Sequence, residues 1–421
     1  MTEKLYYQNS FLYDFVAALM DRRQMADGRT ALLLDRTAFY PTSGGQTFDT
    51  GWLELEPLEG ERGAFLPKLR VAEVAEDEAT GEVLHILESA EGLSDAPTRV
   101  RGFLDVERRR DHMQQHSGQH VLSAGFVELF EMPTVSFHMG EEICTIDIDA
   151  KSLASEQMLK AEQRANEIVW EDRPVTVSFV TEDKARGLDL RKLPPAGREK
   201  LRLVEVKGYD LCACGGTHVR GTGQIGAIQL RKLEKVKQGV RVEFVCGLRA
   251  LQHARRDYQT LVEAAASFSS HIWDVPRQVN KLLEDAKAVA KESHRQLEEI
   301  ADLTARQMVA DAAEQNGVRL FAQVLEGREL AYTRLLGQKL AAAAPNVVAL
   351  LGAGAGQPAL VFAQSAGLPH NMGELMKGVM TRLGSRGGGS RDLAQGGVAS
   401  AAQLAEAIAS ARAAILAAGG G

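Results

Sequence analysis

The sequence predicts an α+β protein that combines a β-rich beginning, a mixed part, a helical connector and a small α/β part at the end. Short apolar runs separated by Gly, Asp and Thr fill the first part of the chain, which is typical of strands joined by tight turns. In the next part, stretches whose apolar residues have helical spacing follow stretches in which apolar and polar residues alternate. A long charged stretch finally gives way to a segment rich in small residues. These observations divide the chain into four predicted parts.

The first two parts are predicted to cover residues 1–95 and 96–250. The first contains "TALLLDRTAFYPTSGGQTFDTGWLELE", in which apolar runs alternate with turn residues. In the second, "ERRRDHMQQHSGQHVLSAGFVELF" and "ASEQMLKAEQRANEIVW" have helical spacing, whereas "CTIDID", "VTVSFV" and "VRVEFVC" alternate like half-buried strands. This mixture indicates helices packed on sheets.

The last two parts are predicted to cover residues 251–312 and 313–421. The first is charged and favours helix, with an uneven apolar stripe. It either packs on its own domains or pairs with a second copy of the chain. In the last part "VVALLG" and "PALVFAQ" are predicted to be short buried strands, and Pro and Gly keep the uncharged stretch around them too short to span a membrane.

Composition favours a cytoplasmic protein without a membrane partner. The 421-residue chain has 45% hydrophobic and 25% charged residues, as ordinary soluble domains do. Four cysteines are too few for a disulfide framework, and "MTEKLYYQNSFLYDF" lacks the apolar core of a signal peptide. The net charge of −7 argues against a nucleic-acid partner, but residues 317–421 hold nine basic and five acidic residues, so a local basic face remains.

Two motifs together predict a metal site. His116 and His120 lie four residues apart on a predicted helix, where both imidazoles face one side. In "CACGGTHV", Cys214 and His218 have the same spacing across a glycine turn. Either pair alone is as well explained by two ordinary polar residues. Together they offer three imidazoles and one thiolate, a tetrahedral set that suits one Zn²⁺ ion.

Two points about this site stay open at the level of sequence. Cys212 lies close enough to compete as the thiolate ligand, although the glycines that would wrap the loop around an ion follow Cys214 directly. Four protein ligands describe a structural zinc, whereas catalysis needs an open position, so either one ligand is replaced or the coordination expands. Because no Glu follows His116, the site is not the HExxH arrangement of metalloproteases.

Four motifs, in this order, resemble the editing and C-terminal regions of alanyl-tRNA synthetase. They are "FYPTSGGQTFDTG" (39–51), "HSGQHVLS" (116–123), "CGGTHV" (214–219) and "GGGSRDLAQGG" (387–397). Because the β-rich segment begins almost at Met1, we expect no aminoacylation part, and the chain is similar to the long form of the free-standing AlaX editing proteins. Threonyl-tRNA synthetase shares the paired metal motifs but lacks the C-terminal glycine motif.

This resemblance implies a fold and a function. The implied fold is an N-terminal β-barrel, a zinc-containing α/β editing domain, a helical linker and a DHH-associated C-terminal domain that contacts tRNA. A homodimer would form through the linker or the C-terminal domain. The implied activity is zinc-dependent, ATP-independent hydrolysis of tRNA(Ala) mischarged with serine or glycine. His116 and His120 would then serve catalysis as zinc ligands, together with Cys214 and His218.

The "FYPTSGGQ" loop is the predicted substrate site. The resemblance gives Thr42 the task of binding the serine hydroxyl, which discriminates well because alanine would leave the polar group unpaired. Ser43, Gly44, Gly45 and Gln46 complete the site, since the glycines let the backbone approach the substrate and Gln46 both donates and accepts hydrogen bonds. The alternative for Thr42 is a turn residue that caps the glycine loop.

The "GSRGGGSRDLAQGG" stretch is the predicted tRNA contact. Arg386 and Arg391 flank the triplet of Gly387, Gly388 and Gly389, so the segment resembles a phosphate-binding loop, although it lacks the lysine of a Walker motif. The alternative is a flexible, solvated loop.

The chain departs from the family pattern at two places. Gln119 stands where the synthetases usually have Thr, which removes a hydroxyl near the ion, and Ser390 and Leu393 stand where Pro and Met are common. Two other functions therefore stay open. One is a deacylase of a different aminoacyl-tRNA, and the other is a non-catalytic, zinc-containing tRNA-binding protein.

Overall fold

A computed structural model describes residues 2–55, 68–77, 79–91, 93, 99–191, 200–237, 239–315 and 317–418. The chain divides into two compact units, Met1–Glu263 and Ala264–Gly421. The predicted boundary between residues 95 and 96 lies outside the described residues. None of the described helices is both long enough and apolar enough to cross a membrane.

The described residues of the first unit form short strands and four helices. In chain order the strands are β1 (Glu3–Lys4), β2 (Asp14–Gln24), β3 (Thr30–Leu34), β4 (Arg36–Thr37), β5 (Gly51–Leu55), β6 (Lys68–Glu76), β7 (Val83–Leu87), β8 (Arg99–Leu104), β9 (Thr134–Met139), β10 (Cys144–Ile148), β11 (Val175–Val180), β12 (Leu201–Val206), β13 (Asp210–Ala213), β14 (Ile228–Val236) and β15 (Gly239–Cys246). The helices are α1 (Val106–Phe130), α2 (Ser155–Trp170), α3 (Glu182–Arg186) and α4 (Gly247–Ala266), which ends inside the second unit. Short 3-10 turns cover Leu5–Tyr7 and Thr222–Ile225.

Six strands close into an antiparallel barrel in the order β2-β3-β7-β6-β5-β8. Leu32, Leu53 and Val71 are fully buried in its core, and closure leaves no unpaired sheet edge. The loop between β4 and β5 carries the "FYPTSGGQTFDTG" motif. Asp49 of this loop forms a buried ion pair with Arg109 of α1, so the barrel loop is fixed against the helix.

Helix α1 packs on a second antiparallel sheet of order β14-β15-β10-β9. Val121 and Phe126 of the helix meet Ile146 and Phe244 of the sheet in a fully buried core. A Cβ at Gly118 would overlap the sulfur of Cys246 in β15. Glycine at this position therefore lets the middle of α1 approach the sheet closely.

A three-stranded sheet, β11-β12-β13, places the second metal motif. Its strands are antiparallel, and Cys212 and Asp210 of β13 lie opposite Val204 and Val206 of β12. Because β13 ends at Ala213, the residues of "CGGTHV" follow the end of this strand as a loop.

The second unit is an α/β layer structure. Its elements are α5 (Val275–Asp311), β16 (Arg319–Leu325), α6 (Leu330–Ala343), β17 (Val347–Ala353), β18 (Ala359–Gln364), α7 (Met372–Arg382), β19 (Gly387–Gly389), β20 (Leu393–Gly397) and α8 (Ala402–Ala418). The sheet has the order β16-β17-β18-β20-β19, with a parallel pairing between β16 and β17. Every residue of β17 and β18 is buried, which confirms the two predicted core strands.

The predicted fold class is confirmed. The chain is α+β, begins with a closed barrel, and continues into mixed helices and sheets. The predicted helices are α1 and α2, and the predicted strands "CTIDID" and "VRVEFVC" are β10 and β15. The three domain boundaries that we proposed from the sequence stay predictions.

Candidate metal centre and the adjoining cavity

Four side chains of the first unit converge on one point. The ligand atoms of His116, His120, Cys214 and His218 all lie within 4.8 Å of one another. The Cys214 sulfur is 3.4 Å from Nε2 of His116 and 3.3 Å from Nε2 of His218. The imidazole rings of His116 and His218 have their centroids 4.6 Å apart. The structure thus brings the two sequence motifs together.

The loop that supplies Cys214 and His218 fits closely over the helix that supplies the other two ligands. A Cβ at Gly216 would overlap the ring of His116, so glycine is needed where the loop crosses the imidazole. The backbone N–H of Gly216 also donates to the Cys214 sulfur at 3.3 Å. Cys212 lies in β13 and is not part of the cluster.

Each histidine of the cluster has its second ring nitrogen held by the protein. Nδ1 of His116 is 2.7 Å from Oε1 of Gln46, and Nδ1 of His120 is 2.9 Å from a carboxylate oxygen of Asp210. Nδ1 of His218 is 3.1 Å from the hydroxyl of Ser117. Such partners fix the tautomer and orientation of metal-binding histidines. They leave the three Nε2 atoms to face the centre.

Gln46 connects the barrel loop to both metal motifs. Its Oε1 also accepts from the backbone N–H of Thr217 at 3.1 Å, while its Nε2 donates to the Thr217 hydroxyl at 2.9 Å. The side chain is fully buried. Gln46 therefore positions His116 and the "CGGTHV" loop.

The electrostatics of the cluster favour the ligand form of the cysteine. Burial alone would raise the pKa of the Cys214 thiol, but the His116 and His218 imidazoles outweigh it and hold the pKa well below the usual range. Burial lowers the pKa of His218 to about 3, which keeps this imidazole neutral. Burial also opposes the charged form of His120, yet Asp210 and Cys214 raise its pKa to about 9 when no cation is bound. A soft divalent cation binds a thiolate together with deprotonated imidazoles, so a bound cation would displace the proton of His120.

The donor set fits zinc in chemistry and in size. Zn–N bonds of about 2.0 Å and Zn–S bonds of about 2.3 Å give tetrahedral distances of about 3.3 Å between two nitrogens and about 3.5 Å between a nitrogen and the sulfur. The two distances from the Cys214 sulfur to nitrogen, 3.4 and 3.3 Å, are close to the second value. The cluster could therefore hold one metal ion.

A cavity of about 980 Å³ opens beside the cluster. His116 and Cys214 form part of its wall, together with Ser43, Gly44 and Tyr40 of the barrel loop. The lining also includes Lys4, Tyr7, Glu76, Lys200 and the glycines of "CGGTHV". A small molecule in this space would lie within reach of the metal ligands.

Only some of the predicted substrate residues line this cavity. Ser43 and Gly44 line the cavity, whereas the exposed Thr42 is not among its lining residues. Gly45 has a φ of +84°, and a Cβ there would overlap the carbonyl oxygen of Phe137. Its own carbonyl accepts from the N–H of Met139 at 2.8 Å. The backbone path of the loop thus depends on glycine at position 45.

The predicted tRNA contact lies in the second unit. Gly387, Gly388 and Gly389 form strand β19, which pairs with β20. A Cβ at Gly389 would overlap the carbonyl oxygen of Leu393, and one at Gly387 would lie 2.8 Å from Met380. Close packing therefore explains two of the three glycines. Arg386 and Arg391 are exposed at the two ends of the strand, and Arg391 donates to the carbonyl of Leu368 at 3.1 Å.

Several residues of the site were not predicted from the sequence. Asp210 is buried and receives hydrogen bonds from Arg191, the shorter at 2.6 Å. Ser117 lies inside the quoted "HSGQH" motif, and its hydroxyl also accepts from the backbone N–H of Val219 at 3.1 Å. Ser117 directly follows the candidate ligand His116, whereas Asp210 stands four residues before Cys214 and carries no such signal in the sequence. Gln119, which replaces the usual Thr, donates to the hydroxyl of Ser123 at 2.8 Å.

Residues 201–242 match the family model described as the second additional domain of threonyl and alanyl tRNA synthetases. The alanyl-tRNA editing protein AlaX-L of Pyrococcus horikoshii is 28% identical over 403 residues, which cover 94% of this chain and 95% of that protein. The alanine–tRNA ligase of Pyrococcus abyssi is 29% identical over 97% of this chain, and that of Methanothrix thermoacetophila is 33% identical over 94% of it. The chain spans only 43% and 42% of the lengths of these ligases.

A solved structure, the C-Ala domain of Aquifex aeolicus alanyl-tRNA synthetase, is 25% identical and covers 24% of this chain and 92% of that domain. Its TM-score is 0.22, which is too low to define a fold relationship.

Proposed function

The chain resembles the long-form AlaX proteins along nearly its whole length, and from this premise we propose that it is a trans-editing hydrolase. It deacylates tRNA(Ala) that carries serine, and also tRNA(Ala) that carries glycine. The reaction is a zinc-dependent, ATP-independent ester hydrolysis, and it takes place in the cytoplasm, where translation occurs.

One observation carries the proposal. Three imidazoles and one thiolate converge on one point, and two of these four ligands, His116 and Cys214, line a cavity that is open to small molecules. His116, His120, Cys214 and His218 hold the zinc ion in the proposal, and His116 and His120 serve catalysis in this way. A zinc ion held there would supply a Lewis acid next to the ester carbonyl.

The residues around the ligands have a positioning task. Gln46, Asp210 and Ser117 orient the three imidazoles through their Nδ1 atoms. Because these partners are buried, the geometry of the centre is set before a substrate arrives. The ester bond then needs only to be placed at the wall formed by His116 and Cys214.

Serine-charged and alanine-charged tRNA are distinguished, in this proposal, by one loop of the barrel. It consists of Thr42, Ser43, Gly44, Gly45 and Gln46. A site that hydrogen-bonds the serine hydroxyl rejects alanine because alanine would leave a polar group unpaired. Thr42 is the proposed partner of the hydroxyl. Ser43 lines the cavity, so its hydroxyl is the second candidate partner.

Contact with tRNA is assigned to the second unit. Arg386 and Arg391 flank β19 and are exposed, which suits contact with backbone phosphates. The proposed domains are residues 1–95, 96–250, 251–312 and 313–421. The proposed homodimer forms through the helical linker (251–312) or the C-terminal domain (313–421).

The test is the release of serine from serine-charged tRNA(Ala) by the zinc-loaded full chain, beside alanine-charged tRNA(Ala). We expect the wild type to release serine and spare alanine, and the His120→Ala variant to lose this activity. The matched control is Glu128→Gln, since Glu128 lies on the same helix in an exposed ion pair with Arg164. This variant should keep the activity. If the zinc-loaded wild type releases no serine, the proposal is wrong.

The same assay separates the other candidate functions. A deacylase of a different aminoacyl-tRNA would release another amino acid faster than serine. A non-catalytic tRNA-binding protein would bind tRNA(Ala) and release nothing. Comparison of Thr42→Val with Ser43→Ala shows which hydroxyl binds the serine side chain: the variant that loses preference for serine over alanine identifies it.

A further inference from the structure

Two arginines and two aromatic rings form a row on the first unit, outside the cavity. The guanidinium carbon of Arg220 lies 4.3 Å from the centroid of the Phe11 ring, and that of Arg110 lies 5.9 Å from the centroid of the Tyr13 ring. The two rings meet edge to face, with their centroids 6.3 Å apart. We call Arg220, Phe11, Tyr13 and Arg110 the arginine-aromatic row. None of its four residues lines the cavity beside the metal centre.

The row combines exposed charges with fixed rings. Both arginines are exposed, and both rings are half-buried. Phe11 packs against the core between α1 and its sheet, and the hydroxyl of Tyr13 is buried. The rings are therefore held by the protein, whereas the guanidinium groups that lie over them are open to solvent.

The segment that carries the two rings is fixed to the metal centre. The carbonyl of Ser10 accepts from Nη1 of Arg109 at 2.8 Å, and the Ser10 hydroxyl accepts from the backbone N–H of His218 at 3.2 Å. Arg220 follows the candidate ligand His218 by only two residues. The row therefore begins next to the metal centre and has a fixed position relative to it.

Neither arginine of the row is neutralised by a carboxylate. Within the described part of the chain, the guanidinium groups of Arg110 and Arg220 have no hydrogen bond and no ion pair. By contrast, the neighbouring Arg108 pairs with Glu141. A guanidinium group that lies over an aromatic face keeps the N–H donors in its own plane available, and this planar fork matches the oxygens of a phosphate. The row thus offers two unpaired phosphate-binding groups.

We propose that the arginine-aromatic row binds the phosphodiester backbone of an RNA helix, with Arg220 and Arg110 at different phosphates. Contacts of this kind position a nucleic acid without reading its sequence. The rings restrain the two arginine side chains before binding, which reduces the entropy that is lost when they are ordered at an interface.

Together with the proposed function, on which this assignment rests, the RNA is the acceptor stem of the charged tRNA. The ester is attached to the 3′ end of this stem, so a stem whose ester lies at the metal ligands extends over the protein surface around them. The row begins at that surface. Its contact is separate from the one assigned to Arg386 and Arg391 in the second unit.

The binding test is fluorescence anisotropy of the zinc-loaded full chain with an uncharged RNA hairpin that contains only the acceptor stem, at a series of salt concentrations. Each phosphate contact to a DNA duplex contributes about 0.9 to the slope of log affinity against log salt concentration. Arg220→Gln and Arg110→Gln should each make this slope shallower by about 1, and the double variant by about 2. Near 0.1 M salt, each single variant should bind the hairpin about 5- to 10-fold more weakly.

Two further variants separate a specific contact from a general loss of charge. Arg186→Gln removes the same charge from an exposed arginine that already pairs with Glu182, so it should leave the slope unchanged. Phe11→Leu keeps an apolar side chain but removes the ring under Arg220. It should weaken hairpin binding about 2- to 5-fold, the range for an exposed cation–π contact, and keep the slope because the charge remains. Competition with a zinc chelator checks that each variant still binds zinc, since Arg220 lies close to His218 in the chain.

A kinetic test follows the same contact during turnover. The ratio of kcat/KM for serine-charged tRNA(Ala) to that for serine methyl ester should fall in Arg220→Gln and in Arg110→Gln, because only the first substrate carries the stem. The change should lie in KM for the charged tRNA rather than in kcat, since the row lies outside the cavity. The ratio does not depend on a uniform loss of folded enzyme.

The outcomes separate this inference from the proposed function. If the slope is the same in the wild type, Arg220→Gln and Arg110→Gln, or if Arg186→Gln changes it as much as they do, the RNA-binding row is wrong even when serine is released. If Phe11→Leu binds the hairpin like the wild type, the part assigned to the ring is wrong. If the wild type releases no serine yet the two arginines set the slope, the proposed function is wrong and the RNA-binding row stands.

Discussion

Replacement of Asp210 is expected to weaken metal binding in two graded steps. Asp210 is almost fully buried, and its carboxylate lies 2.9 Å from Nδ1 of His120. A hydrogen bond to a charged group contributes about 1.5–3 kcal/mol and a neutral one about 0.5–1.5 kcal/mol. Asp210→Asn keeps a neutral partner, so it should lose about 1–2 kcal/mol, or about 5- to 30-fold in zinc affinity. Asp210→Ala leaves the imidazole without a partner and should lose about 10- to 100-fold.

The assay is competition for zinc between the protein and a chromophoric chelator of known affinity. Near-ultraviolet circular dichroism checks that each variant stays folded, since Arg191 also loses its carboxylate partner. Glu128→Gln is the control, because the ion pair of Glu128 with Arg164 is partly exposed and involves none of the four candidate ligands. Equal zinc affinity for wild type, Asp210→Asn and Asp210→Ala would refute the role of Asp210 in orienting His120.

Three further results are expected. Gln46→Ala removes the oxygen that lies 2.7 Å from Nδ1 of His116 and should lower zinc affinity about 10- to 100-fold; unchanged chelator competition would contradict this. Burial lowers the pKa of His85 to about 4, so the unfolded chain takes up this proton first and stability falls as the pH drops from about 6.5 to 4, by about 1.4 kcal/mol per pH unit. In the His85→Gln variant, the free energy of unfolding measured with urea should fall less steeply with decreasing pH, by that amount per pH unit. Arg109→Met leaves the buried Asp49 carboxylate unpaired and should cost about 3–5 kcal/mol in urea unfolding, whereas Arg109→Met combined with Asp49→Leu should cost less than Arg109→Met alone.

The cluster of four candidate ligands could be predicted from the sequence because the spacing of the residues is itself the signal. Two residues four apart on a helix face one side, and glycines after Cys214 allow a tight loop, so local rules are enough. The partners of the ligands follow no such rule. Gln46 and Asp210 reach the imidazoles only because the barrel loop and β13 are folded against α1, and such contacts depend on the tertiary structure.

Strand β11 shows where alternation misled the prediction. Val177 and Phe179 were expected on a buried face of "VTVSFV", but they are 37% and 51% exposed. The strand itself is correct, with bounds Val175–Val180. It lies at the edge of a sheet with only three strands, and such a sheet offers little surface to cover an apolar side chain. Alternation reports which residues share a face, whereas burial depends on what lies against that face.

The hydrogen bond between Gln46 and His116 limits which fragments of this protein can contain a complete site. A fragment that begins after residue 98 contains all four candidate ligands, and by motif it would count as a complete domain. It would nevertheless lack the amide that holds His116 and the "CGGTHV" loop. The barrel is therefore a component of the site, and transplanting the α/β portion alone onto another scaffold would transfer the ligands without their alignment.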